Sequence, residues 1–153
     1  MKLTKILVAV DFSECSAAAF KYAKSLAKKF SASIQAIHVV DRDQVEAVAE
    51  VYGKSESSVT EEFCLQAKER FKGFLAENNP EEVNVTHRVA VGIPFQTIAL
   101  KAQEWAMDMI VIGGHGTMGS GQIDKIFFGS EAERVVRMLP CPVLCVPSEI
   151  AGT

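Results

Sequence analysis

The stretch MIVIGGHGTMGSGQIDKIFFGS, residues 109–130, decides how the chain is read. It opens with a short apolar run and then holds six of the ten glycines, Gly113, Gly114, Gly116, Gly119, Gly121 and Gly129. The run MIVIGG has the length and composition of a strand buried on both faces, and the glycines that follow break it into a loop. Gly114–Gly119 spells G-x-G-x-x-G, the dinucleotide fingerprint. That fingerprint needs a helix opening directly from the turn, whereas here Gly119-Ser120-Gly121 prolongs the loop and the next helical pattern starts near Ser130. The acidic residue expected about 20 positions on is also missing, since that region reads Met138-Leu139-Pro140-Cys141. Gly116–Gly121 also gives the front half of a P-loop, but Gln122 and Ile123 stand where Lys and Ser or Thr would hold phosphate and magnesium. A longer spacing fits better: Gly116 and Gly119 bracket a tight turn, and nine residues later Gly129-Ser130 opens a helix. Backbone N–H groups from the turn and from the helix start can then converge on a phosphate chain.

Working outward, LTKILVAV (3–10) reads as a first buried strand ended by Asp11, with Ser13 or Ser16 capping a helix that carries Phe20, Ala23, Ala27 and Phe30. In that helix Lys21, Lys24, Lys28 and Lys29 fall mostly on the other face. SIQAIHVV (33–40) is a second strand. Residues 41–57 are polar and read as a loop with at most a short helical piece. A firmer helix is expected from Ser58, where Ser58-Val59-Thr60-Glu61 has capping-box spacing, with Phe63, Ala67, Phe71 and Phe74 as its stripe. Alternation at Val83, Val85, His87, Val89 and Val91 gives a third strand, suited to an edge with one wetter face. Pro94 suits the first turn of a helix carrying Phe95, Ile98, Ala99, Ala102 and Trp105. After the 109–114 strand and the glycine loop, 130–139 is helical and CPVLCV (141–146) is a fifth strand.

This order, β-α-β-α-β-α-β-α-β, predicts an α/β fold: a doubly wound, five-stranded parallel sheet with helices on both faces, in a single domain over 1–153. Ligands of such sheets bind outside the carboxyl ends of the strands where the strand order reverses. If strands 1 and 4 are neighbours there, Asp11 and the glycine loop face one crevice.

With 153 residues, 48% hydrophobic and 23% charged, the chain can bury a full core. A net charge of −3 argues against a nucleic-acid partner but not against a small anion held by backbone N–H groups. Ile6–Val10 is cut off by Asp11, too short for a secretory core, and no run reaches the length that spans a membrane. A cytoplasmic location with no membrane partner is the expectation. Cys15, Cys64, Cys141 and Cys145 form no C-x-x-C pair. On one strand Cys141 and Cys145 would lie about 13 Å apart, too far to share a metal, so structural thiols are expected and no residue is assigned to a metal.

The motif Gly116-Thr117-Met118-Gly119, nine residues, then Gly129-Ser130 resembles the G-2x-G-9x-G-S/T signature of the universal stress proteins, in their ATP-binding branch. The resemblance runs the length of the chain, through ILVAVDFSECSAAAFKYA, AVGIPFQTI and GSEAERVVRMLPCPVLCVP. It implies the adenine nucleotide alpha hydrolase-like fold of that family and a ligand that is ATP or AMP, with or without Mg2+. It implies that Asp11 contacts the adenosine and that Val39 reads the adenine edge through its backbone. Gly116, Gly119, Gly129 and Ser130 match the ribose- and phosphate-binding positions, and Ser13 can reach a phosphate or cap the first helix. The resemblance also implies a homodimer through the C-terminal strand and a role as a stress-response sensor or regulator. The chain departs from the pattern in two places: Thr117 stands where a basic residue is common, leaving Lys125 as the loop's cation, and Glu131 sits beside the phosphate cradle. Both make the site less positive. His115 is the loop residue that could act as a base, but it has no evident partner, and no magnesium-binding pair is evident. Binding is therefore expected rather than catalysis, with no catalytic residue assigned. The alternatives are slow ATP hydrolysis or autophosphorylation, and a nucleotide-free dimeric scaffold. His38 and His87 fall in strands and are expected to serve in the core or at the surface.

Overall fold

The computed structural model describes residues 2–114, 130–138 and 140–147, with the side chains of residues 130–132 outside that description. The elements are β1 (Lys5–Ala9), α1 (Glu14–Phe30), β2 (Ser33–Asp41), α2 (Arg42–Tyr52), α3 (Glu56–Asn78), β3 (Val85–Gly92), α4 (Pro94–Glu104), β4 (Met109–Gly113), α5 (Ser130–Met138) and β5 (Val143–Val146). All pairings are parallel, in the order β3-β2-β1-β4-β5. The chain steps outward from β1 to β3, then returns to the far side of β1 to lay down β4 and β5. Strand order therefore reverses between β1 and β4, the expected place for a ligand crevice. The edges are β3, whose first half is largely exposed, and β5.

The apolar runs of the central strands are buried on both faces, as a covered parallel sheet requires. Ile6 and Val8 join Phe20, Ala23, Phe71 and Phe74 in the core under α1 and α3. Leu7 and Ala9 point the other way, into a second core with Ile98, Ala102, Ile110 and Val135 under α4 and α5. Among the described residues no helix is long and apolar enough to cross a membrane.

Three local readings are corrected. Residues 42–52 form a full helix, not a loop. Asp41 caps it by accepting from the Asp43 N–H at 3.0 Å, Val45 and Ala49 bury one narrow stripe against Val40 and Val59, and Gly53 at φ 62° closes it. Helix α3 starts a turn earlier than the Ser58 box, because Ser55 is the residue that caps it, taking the Ser58 N–H at 3.1 Å. On α1, Phe30 at the last position of the helix is 50% exposed, while Lys24 is buried. The Lys24 ammonium reaches Glu81 and lies 5.8 Å from the centre of the Phe20 ring, so the buried side chain keeps its charge paired.

Candidate functional site

The crevice is built from the turn that leaves β1. The ladder between β1 and β2 ends at Ala9↔Ile37, followed by one more bond from the Val10 N–H to the Ile37 carbonyl at 2.8 Å. The chain then folds over itself. Asp11 Oδ1 accepts from the Ser13 N–H at 3.0 Å and from the Ser13 hydroxyl. Ser13 in turn caps α1, its Oγ accepting from the Ser16 N–H at 3.2 Å. Asp11 and Ser13 are thus one unit, a carboxylate steadied by the residue that also starts the helix, and both are half-buried. Of the two candidate caps, Ser13 takes the role. Ser16 is buried behind it, donating its hydroxyl to the Ser13 carbonyl at 3.0 Å.

The residue between them, Phe12, has φ 66°. A left-handed conformation is uncommon for an aromatic residue and costs about 1–3 kcal/mol, so the surroundings must over-determine it. They do: the Phe12 ring meets His38 (centroids 4.7 Å), the edge of Phe71 (5.1 Å) and Phe74 (6.0 Å), and the Arg70 guanidinium lies 4.6 Å from its centre. Backbone strain here is held by aromatic packing from α3.

The second wall is the end of β2. Its pairing with β3 continues to Asp41↔Gly92, so Val39 stands two residues beyond the last β1 pair. Its side chain packs on the α4 and α5 core, while its backbone borders the gap that β1 leaves. The preceding residue, His38, reaches across that gap: Nδ1 lies 2.7 Å from the Val10 carbonyl oxygen. Burial, and secondarily the Arg70 charge, push the imidazole pKa below its ordinary 6.5, against the opposing pull of the Val10 carbonyl and Asp11.

The third wall is the end of β4. A Cβ on Gly113 would meet the Cys15 backbone carbon and oxygen at 2.9 Å, so the missing side chain is what lets the start of α1 lie against β4. Gly114 donates its N–H to the Val146 carbonyl at 2.7 Å, which ties the exit of β4 to β5. From there the chain leads to α5, which starts at Ser130. The starts of α1 and α5 both follow strands that end at the switch point, and helix starts of this kind favour anions.

Asp11, Ser13 and Val39 are therefore brought to the same end of the sheet. Gly116, Gly119 and Gly129, together with His115, Thr117 and Lys125, lie outside the described residues, as do the side chains of Ser130 and Glu131. Sequence reasoning missed Gly113, Phe12 and His38. Gly113 was hidden as the tail of a strand and Phe12 as an ordinary apolar residue, and the strand pattern around His38 gave no sign of its bond to Val10. Away from the crevice, burial pushes the Cys141 and Cys145 thiols up, which suits inert structural thiols.

The profile of the Universal stress protein family matches residues 2–147. The chain belongs to that family. Universal stress protein MJ0531 of Methanocaldococcus jannaschii is 34% identical over 143 residues, 93% of this chain and 81% of that one. The solved structure of MJ0577, from the same organism, superposes with a TM-score of 0.80 at 26% identity, covering 99% of this chain and 100% of the other. A universal stress protein from Archaeoglobus fulgidus, solved in complex with dAMP, has a TM-score of 0.65 at 22% identity, covering 95% and 98%. The solved relatives share the fold of this chain.

Proposed function

We propose that the protein binds an adenine nucleotide, ATP or AMP, at the carboxyl ends of β1 and β4, and that it acts as a dimeric stress-response sensor or regulator. The observation that carries this reading is the placement of Asp11, Ser13 and Val39 around one gap at the switch point. The residues present fit an adenosine: a carboxylate that accepts hydroxyl donors, and a strand end whose backbone can face a base edge. The phosphates are assigned to the Gly116, Gly119 and Gly129-Ser130 positions that the resemblance gives, through backbone N–H groups. A universal stress protein of the same fold has been solved in complex with dAMP, which supports a mononucleotide as the occupant. For the dimer, the support is β5: it is an edge strand of apolar sequence, VLCV, and such an edge is normally covered or paired.

Denaturing the purified protein after extensive dialysis, and identifying any released small molecule by mass spectrometry, tests the ligand. Titration calorimetry with ATP and with AMP follows. An adenine nucleotide is expected, with affinity lost in Asp11→Ala and in Gly116→Val. No release and no binding of either nucleotide would sink the reading. Size-exclusion chromatography with light scattering tests the dimer, which Cys145→Pro should dissociate, since the Cys145 N–H faces away from β4.

A further inference from the structure

We infer that His38 is a positioning residue of the nucleotide crevice, joining the strand end that carries Asp11 to the strand end that carries Val39. The inference rests on the nucleotide reading above and adds a residue to it. A carbonyl oxygen can only accept, so the 2.7 Å contact between His38 Nδ1 and the Val10 oxygen places the proton on Nδ1. The ring is neutral at pH 7, its pKa being lowered by burial. Its single N–H is thus spent on the peptide that links Val10 to Asp11, and this fixes the direction in which Asp11 leaves the strand. The same ring lies 4.7 Å from the Phe12 ring, on the residue that must stay left-handed. One side chain therefore touches both neighbours of Asp11, before it and after it.

His38 is itself the residue before Val39, and it sits where the β1–β2 ladder has already ended. Among the described residues the ladder stops with the Val10 N–H bond to the Ile37 carbonyl, short of Asp11 and Val39. The His38–Val10 bond replaces the missing rung with a side chain. A side-chain bridge takes up the Val10 carbonyl but holds the two strand ends together without using the Val39 N–H, which a further ladder bond to that carbonyl would use up. The charged groups that act on the ring are Arg70 of α3 and Asp11 of the turn, and His87 of β3 touches Phe71, 5.0 Å away, behind Phe12.

The test compares His38→Asn with His38→Leu. The asparagine amide nitrogen occupies the position of Nδ1 relative to Cβ and can donate to Val10, whereas leucine fills space without a donor. Calorimetric titration with ATP and with AMP, at a temperature where each variant is folded by circular dichroism, should show about a tenfold loss in affinity for His38→Leu and a loss within about threefold for His38→Asn. Nitrogen-15 NMR of the histidine-labelled wild type should show the Nδ1–H tautomer. Equal losses in the two variants, unchanged affinity in His38→Leu, or an Nε2–H tautomer would each overturn the inference. Should His38→Leu not fold, the asparagine variant and the tautomer decide it. A wild type that binds neither nucleotide overturns the nucleotide reading itself, an outcome distinct from a wild type that binds and a leucine variant that binds equally well.

Discussion

The two ends of the sheet use the same chemistry for opposite purposes. At the amino end, Asp108 accepts three bonds at 2.9 Å, from the Thr4 N–H, the Thr4 hydroxyl and the Lys5 N–H, across more than a hundred positions of sequence. Its own N–H returns to the Lys5 carbonyl at 3.0 Å, Ser33 donates its N–H to the Thr4 carbonyl at 2.9 Å, and the Lys5 ammonium reaches the Trp105 carbonyl at 3.1 Å. These links tie β1 to the segments that lead into β2 and β4. At the carboxyl end Asp11 bonds Ser13, Ser13 bonds Ser16 and Asp41 bonds Asp43, each within its own turn. A carboxylate bonded within its own turn shapes the turn without pulling strands together, and the gap between strands survives. His38 adds a long-range side-chain bond over the gap.

If the carboxyl end depends on support from beneath, removing that support should cost most. Phe71 is fully buried and meets Phe12, Phe74 and His87. Phe71→Ala should destabilise the fold by about 3–5 kcal/mol, as large aromatic truncations in cores do. Urea unfolding measures the loss. Hydrogen exchange should show the β1–α1 turn opening before the amino end, and equal opening at both ends would break the contrast. A smaller loss is expected from Gly113→Ala. Its new Cβ meets Cys15 backbone rather than a movable side chain, and overpacking of this kind costs about 1–3 kcal/mol. Because the strain falls on the start of α1, nucleotide affinity should fall with stability. The control is Gly73→Ala inside α3, whose Cβ meets nothing within 4 Å; it should raise stability by about 0.5–1 kcal/mol and leave affinity unchanged.

The sequence carries the fold more fully than the site. Alternating buried strands and helices require the parallel sheet, because runs such as ILVA and MIVI are stable only when covered on both sides. Helix α2 escaped the pattern because its buried stripe is only Val45 and Ala49 on an otherwise polar segment, so periodicity had two residues to work with. Lys24 was misplaced because a lysine can bury its stem and still pair its charge with Glu81, and residue type does not reveal the partner. Asp11 and Ser13 were legible as a strand end and a candidate helix cap, which leave marks in sequence, while their site roles come from the resemblance alone. Phe12 and His38 were not, because a left-handed aromatic residue and a side chain standing in for a ladder bond depend on α3 and on the neighbouring strand, which are distant in the chain.

The smallest expected effect separates the two ends by pH. The Asp108 carboxyl is held below its ordinary 3.8, first by the Thr4 N–H bond, then by the Thr4 hydroxyl and the Lys5 N–H. A depressed acid contributes stability that is complete above the unfolded value and is lost as pH falls through 3.8 toward the folded one. His38 is also depressed, but it is a base: above 6.5 it is neutral in both states and contributes no slope. Below 6.5 the unfolded chain takes up a proton that the folded ring resists, so stability falls from 6.5 down to the folded value. The two ends therefore titrate in separate windows. Unfolding free energies from urea melts across pH 3–8 should show His38→Asn flattening the upper window and leaving the slope below 3.8. Asp108→Asn should do the reverse. If His38→Asn leaves the slope below 6.5 unchanged, the imidazole is not held neutral by burial, and the contrast between a clamped amino end and a bridged carboxyl end loses its electrostatic half.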